Sequence, residues 1–234
     1  MKRQVSLVEM VGITIIITMI LVVVGLSGCT QQNTSADETK IETTPPTIES
    51  LQTILAKSDT IESMYYEIAA SITIPQYGTQ TATIKIWQKT PYLKEQITSV
   101  TSGITNTMMV IQRPDGIYTY DTAQGKYVMM TGDTSSIATS LQYLNSKMIK
   151  NYLNNLTSTN FQTEIIDGKK ATIFEYTPLQ GSNNMNIKMW IWNEKGVPLK
   201  ALFNMTLDGK TMTMDFRFNN YSFADIADST FSVV

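Results

Sequence analysis

The sequence predicts an α+β domain built on one long antiparallel sheet, and three observations predict it. About eleven short segments alternate apolar and polar residues, the two-residue period of strands with one buried face. Short strings rich in Gly, Asn, Asp and Pro separate them, which favours hairpins over crossovers. Two stretches switch to the helical period, one ahead of the strands and one midway.

The elements follow in order. Thr47 is a candidate N-cap, and Ile48, Leu51, Ile54 and Leu55 form one apolar helix face running to about Asp59. Strands are expected at Met64 to Ile74, Thr79 to Lys89, Tyr92 to Val100 and Thr105 to Gln112. Gly116 to Asp121 and Lys126 to Met130 make a hairpin over Thr122 to Gly125. Ser136 to Leu156 then carries Ile137, Leu141, Leu144, Met148, Tyr152 and Leu156 on an amphipathic stripe, a second helix. Strands resume at Phe161 to Ile166 and Lys170 to Thr177, with Asp167-Gly168 as a tight-hairpin signal between them. Met185 to Trp192, Pro198 to Leu207 and Thr211 to Tyr221 complete the sheet, and a short piece ends at Phe231.

Composition narrows the chemistry. The 234 residues hold no histidine and one cysteine. That excludes a Ser-His-Asp triad, a Cys-His pair, an internal disulfide and the usual zinc sites. With 18 Lys plus Arg against 20 Asp plus Glu, no basic excess points to nucleic acid. No metal or cofactor motif is present, and no GxGxxG, P-loop or GxSxG. Asp115, Asp167 and Asp208 each precede a glycine, where Asp serves a turn; with Asp121 and Asp215 they make a weak case for a carboxylate pair. No catalytic residue is expected. Four Asn-x-Ser/Thr sequons, at Asn33, Asn155, Asn204 and Asn220, are near the chance number for a chain this rich in Asn, Ser and Thr.

The N-terminus reads as an address. Met1-Lys2-Arg3 is basic, and Met10 to Leu26 carries no charge. Leu26, Ser27 and Gly28 then precede Cys29. This ending resembles a lipobox, in which the chain is cut before the cysteine and the thiol is lipid-modified. Small residues fit the peptidase cleft, and sulfur is the nucleophile for acylation. The other reading is an uncleaved membrane anchor, although the apolar run is at the short limit for a span. Either way residues 1–28 act as a signal, and the rest lies outside the cytoplasm, tied to a membrane. Residues 29–46, polar and ending in Pro-Pro, read as a disordered tether, which leaves 47–234 as one domain.

Strand faces can be separated by parity. Met185, Ile187, Met189 and Ile191 share one face, with Asn186, Lys188, Trp190 and Trp192 on the other. Leu199, Ala201, Phe203, Met205 and Leu207 line up, as do Met212, Met214, Phe216 and Phe218. Three strands thus offer a Met- and Phe-rich surface. Methionine suits apolar surfaces that accept varied partners. Ile84, Ile86, Met185, Ile187, Met189, Ile191, Phe203, Met205, Met212, Met214 and Phe216 are candidates to line a cavity. The plain alternative is a filled core, with Trp190 and Trp192 exposed for a partner.

Four strings resemble the LolA/LolB-like lipoprotein-sorting family. They are Lys85 to Glu95 (KIWQKTPYLKE), Asp115 to Asp121 (DGIYTYD), Lys188 to Trp192 with Gly196 to Lys200, and Phe218 to Phe223 with Ile226 to Phe231. They occur in the family's order over residues 47–234, and the texture is similar to membrane-anchored archaeal homologues. The resemblance implies an unclosed antiparallel half-barrel of about 11 strands whose concave face is covered by helices. It also implies that lipid or lipoprotein acyl chains bind in that cavity. The family's third-strand arginine, which helps hold the lid, is replaced by Lys94, a point charge instead of a planar fork. The expected function is a non-enzymatic, lipid-anchored, extracytoplasmic protein that binds such chains without a cofactor, for sorting or lipid transfer. The alternative is a structural or sensory surface module with no lipid ligand.

Overall fold

The structure is a computed structural model. It describes residues 48–75, 78–101, 104–130, 149, 161–176, 185–207 and 210–233. Helix α1 (Ile48–Ala56) runs into a 3₁₀ turn at Lys57–Thr60. Eleven strands follow: β1 (Ser63–Ile74), β2 (Gly78–Lys89), β3 (Tyr92–Thr101), β4 (Ile104–Arg113), β5 (Gly116–Asp121), β6 (Lys126–Met129), β7 (Gln162–Ile166), β8 (Lys169–Tyr176), β9 (Met185–Trp192), β10 (Pro198–Leu207) and β11 (Lys210–Ser222). A 3₁₀ turn at Asp228–Phe231 precedes the C-terminus. The signal, Cys29 and the tether lie outside the described residues, as does the midway helix apart from Ile149. Among the described residues no helix is long and apolar enough to cross a membrane.

All eleven strands form one antiparallel sheet in the order β6-β5-β4-β3-β2-β1-β11-β10-β9-β8-β7. The sheet is open, with β6 and β7 at its edges. It consists of two meanders, β1–β6 and β7–β11, each zipped by local hairpins. Pairing of β1 with β11, far apart in sequence, joins them. Turn chemistry fixes several registers. Asp167 and Gly168 both adopt positive φ, 49° and 75°, as a two-residue hairpin matching the strand twist requires.

Parity sorts the sheet into two faces. One face carries α1, whose Leu51, Ile54 and Leu55 pack into a cluster with buried residues of β1, β2 and β8–β11. Ile149, helical and fully buried, joins the same cluster. This is the helix face. The other face carries the C-terminal residues 223–233, which pack Ile226 and Phe231 against Tyr65, Trp87, Tyr92 and Ile111. This is the strap face. A further cluster on that side gathers Ala171, Ile173, Trp190 and Leu199.

Two expectations about faces are corrected. Leu199 falls out of the Met/Phe row, because the β9–β10 register shifts between Pro198 and Lys200, and it joins the strap-side cluster. Trp190 is not an exposed contact residue: it is 5% exposed. Its indole N–H donates to Glu164 Oε2 at 2.7 Å, and the Lys188 and Lys200 ammonium groups lie 5.4 and 4.8 Å from its ring centre. Long lysine stems cover the ring, while their charged ends stay wet. Trp192 remains partly exposed.

Helix α1 is positioned by the β9–β10 turn. Gly196 takes φ +70°, and a Cβ there would lie 2.3 Å from the Ile54 carbonyl oxygen. Only glycine allows that approach. Lys57 Nζ adds a hydrogen bond to the Asn193 carbonyl at 2.5 Å. The C-terminal end of α1 is thereby fixed to one end of the sheet.

Candidate functional site

The helix face concentrates the apolar side chains in cross-strand rows. Met185, Met205 and Met212 are register partners across β9, β10 and β11. In the next row Ile187, Phe203, Met214 and Ile72 pair successively. A further row runs Phe174, Met189, Ala201, Phe216, Ala70, Ala82 and Ser99, from β8 to β3. Its Ala70–Ala82–Ser99 part contains only small side chains, of which Ala70 and Ser99 are buried. Phe218, Ile68, Ile84 and Ile97 form the row on its other side.

The candidate lining residues therefore share one face. Ile84, Ile86, Met185, Ile187, Met189, Ile191, Phe203, Met212, Met214 and Phe216 are buried in one cluster, and Met205 packs against it half-buried. Lys94 is not with them. β3 alternation sends it to the strap face, where its Nζ donates to the Thr230 carbonyl at 3.2 Å and lies 5.5 Å from the Trp87 ring centre. Burial there pushes its pKa down. Among the described residues Lys94 contacts the C-terminal strap, and the midway helix expected as a lid lies outside them apart from Ile149.

The residue that takes the helix-face position on β3 is Glu95. Its register partners are Ile86 on β2 and Val110 on β4, both buried. Its side chain is 7% exposed, and desolvation raises its pKa to about 7. Its charge in turn helps push the Tyr66 phenol upward, although burial of Tyr66 is the larger cause. Sequence reasoning passed over Glu95; the signal was its parity with Leu93 and Ile97.

Aromatic residues close one end of this face. Tyr66 stacks on Tyr221 at 5.3 Å between ring centres and lies 6.2 Å from Phe218. Two residues that share a face are normally two apart, yet Phe218 and Tyr221 are three apart. The β1–β11 register shifts between Tyr65 and Glu67, and Asn220 takes φ +53°. That bulge returns Tyr221 to Tyr66. The Tyr221 hydroxyl donates to the Pro198 carbonyl at 2.5 Å.

The aspartates serve local structure. Asp121 accepts from the Ala123 and Gln124 amides at 2.8 and 3.2 Å, which holds its carboxyl below the usual range. Asp115 accepts from Arg113 Nε at 2.9 Å and from the Tyr118 hydroxyl at 3.0 Å. Asp167 occupies its turn, Asp215 sits on β11 4.0 Å from Arg217 Nε, and Asp208 lies outside the described residues. Among the described residues no group of three or more acids or cysteines is placed to hold a metal ion.

No protein-family model matches the chain. No curated protein matches it. Solved structures similar to it include a LolA superfamily protein from Nitrosomonas europaea, with 13% identity and TM-score 0.40, covering 78% of this chain and 97% of that one. The Mycobacterium tuberculosis lipoprotein LppX has 14% identity and TM-score 0.47, covering 77% and 99%. A putative outer membrane lipoprotein-sorting protein domain from Vibrio parahaemolyticus has 11% identity and TM-score 0.35, covering 79% and 95%. Identities this low concern the run of the chain only. At TM-scores under 0.5 they say nothing of what the chain binds.

Proposed function

We propose that this chain is a non-enzymatic, membrane-tethered, extracytoplasmic protein that holds an alkyl chain of a lipid or lipoprotein against the helix face. The observation that carries this reading is the run of Met, Ile and Phe side chains in register across β9, β10 and β11, continuous with the small side chains Ala70, Ala82 and Ser99. Methionine adapts its shape at little cost, so such a surface can repack around a ligand. Burying an alkyl chain yields about 0.8 kcal/mol per CH₂, ample for a long chain before ordering costs. Cys29, after Leu26-Ser27-Gly28, supplies the lipid anchor, and the 29–46 tether lifts the domain off the surface.

A second reading, a surface module with a filled core, is favoured by one observation: Met189, Ile191 and Phe174 are fully buried. Native mass spectrometry of the delipidated full-length protein separates the two. Stoichiometric uptake of added phospholipid or long-chain alcohol, reduced by Ala82→Trp, supports the lipid reading. No uptake by the wild type rules it out in favour of the filled core.

A further inference from the structure

We propose that Asn204 and Asn220 carry N-linked oligosaccharides, which cover part of the strap face with sugar. The inference goes beyond the lipid reading and shares with it only the extracytoplasmic placement of the domain, because such acceptors are modified on secreted chains.

The placement of the sequons carries the argument, where their number does not. Asn204-Met205-Thr206 lies within β10 and Asn220-Tyr221-Ser222 at the end of β11, while Asn33 and Asn155 lie outside the described residues. A glycan is bulky and solubilising, so the folded protein accepts one only where the acceptor side chain meets solvent. Both asparagines are exposed. Strand alternation sets Asn204 and Thr206 on the strap face, opposite Phe203 and Met205, which belong to the helix-face cluster. A register slip of one residue would turn Asn204 toward α1. Asn204 Oδ1 accepts from Thr213 Oγ1 at 3.1 Å. That bond holds the carbonyl oxygen toward β11 and turns Nδ2, the atom that takes the sugar, away from it. Asn220 has φ +53°, a conformation that asparagine adopts more readily than most residues. Its Nδ2 donates to Glu67 Oε2 at 3.1 Å. A primary amide has two N–H donors, so a sugar replaces one hydrogen and leaves that bond in place. Ser222, the hydroxyl of this sequon, is exposed.

The surface around Asn204 suits a sugar. Its register partner Thr213 pairs with Thr73, and Thr73 pairs with Thr79, so a row of hydroxyls continues from β10 to β2. Thr73 and Thr79 are exposed. Hydroxyls in such a row bond sugar oxygens directly or through water. The modification itself is a glycosyl transfer from an oligosaccharide carried on a lipid phosphate. Asn Nδ2 attacks the anomeric carbon, the N–C bond forms, and the C–O bond to the phosphate breaks. The phosphate leaves with the electron pair, and the displaced amide proton goes to a carboxylate of the transferase.

The test isolates the full-length protein from its native membranes and maps its glycopeptides by fragmentation mass spectrometry. The peptides holding Asn204 and Asn220 should each be heavier by one oligosaccharide, lost stepwise as sugar units. Asn204→Gln should remove the adduct from its own peptide alone. Thr206→Ala should do the same, since it keeps the asparagine and deletes the hydroxyl that the transferase requires. Asn220→Gln should clear the other site. A glycan at only one position overturns the assignment of the other, and an adduct on Asn204 that survives Thr206→Ala overturns sequon glycosylation there. Labelling intact cells with a membrane-impermeant amine reagent separates the two kinds of failure, because Lys126 is exposed. Labelled Lys126 with both asparagines unmodified overturns the glycans and leaves the extracytoplasmic placement standing. Unlabelled Lys126 with both asparagines unmodified overturns both.

Discussion

The two faces of the sheet are covered by different physics. On the strap face, directional bonds hold the cover. Lys89 Nζ donates to the Ile226 carbonyl and to Asp228, Ser63 Oγ accepts from the Ile226 amide, and Phe231 stacks on Tyr92. Each contact specifies one geometry. On the helix face the described cover packs through apolar side chains, with the Lys57–Asn193 bond only at the end of α1: α1 contributes Leu51, Ile54 and Leu55, and the sheet contributes Ile, Met and Phe. Apolar contacts are non-directional, so one alkyl group can replace another with little penalty. A cover built of directional bonds is a fixed part of the fold, whereas a cover of interchangeable methylenes and thioethers can share its place with a ligand. That difference is why the proposed function places an alkyl chain on the helix face.

The contrast can be broken at its hinge. Gly196→Ala puts a Cβ against the Ile54 carbonyl at a positive φ, so α1 must shift off its end of the sheet. Thermal and urea unfolding should show a loss of roughly 3 kcal/mol or more. A loss under about 1 kcal/mol would mean that α1 is not held by this turn. Within the apolar cover, Met189→Ala should cost about 2–5 kcal/mol, since Met189 is fully buried. On the present account added dodecanol should return part of that loss, as a ligand filling the space; a melting temperature indifferent to dodecanol contradicts this.

Glu95 sharpens the comparison through pH. Its folded-state pKa, about 7, is raised above the ordinary 4.5. The folded state therefore binds the proton more tightly. The resulting penalty is absent below about pH 4.5 and grows to its full size above about pH 7. Glu95→Gln should stabilise the protein by up to about 3 kcal/mol at pH 8 and by little at pH 4. Equal effects at both values would show that the carboxyl is solvated. The smallest effect is expected on the strap. Lys89→Met removes both carboxylate contacts, yet these groups are exposed, so the melting temperature should barely move. Amide exchange in residues 224–233 should nevertheless accelerate. Unchanged exchange would mean that apolar packing alone holds the strap.

Local parts of this fold were legible in the sequence because strand periodicity and turn residues are local signals. Expected bounds for β5, β9 and β10 coincide with the observed ones, and Asp167-Gly168 announced its hairpin. Pairing of β1 with β11 was not legible, since nothing in either segment names a partner so far away. Parity failed where a register shift breaks it, at Leu199. Trp190 looked exposed because the lysine stems and Glu164 that bury it come from neighbouring strands. Lys94 was assigned through a resemblance, whereas alternation with Leu93 already pointed it the other way. Glu95 follows the same alternation, but a lone acid on an apolar strand face carries no motif of its own.

The most direct test of the difference between the faces is photo-crosslinking of the full-length protein with a long-chain alcohol carrying an alkyl diazirine, followed by peptide mass spectrometry. Adducts are expected on helix-face residues such as Met189, Met205, Met214 and Ala82, competed away by unlabelled alcohol. Adducts confined to the strap face around Trp87, Tyr92 and Phe231, or none that competitor removes, would contradict it.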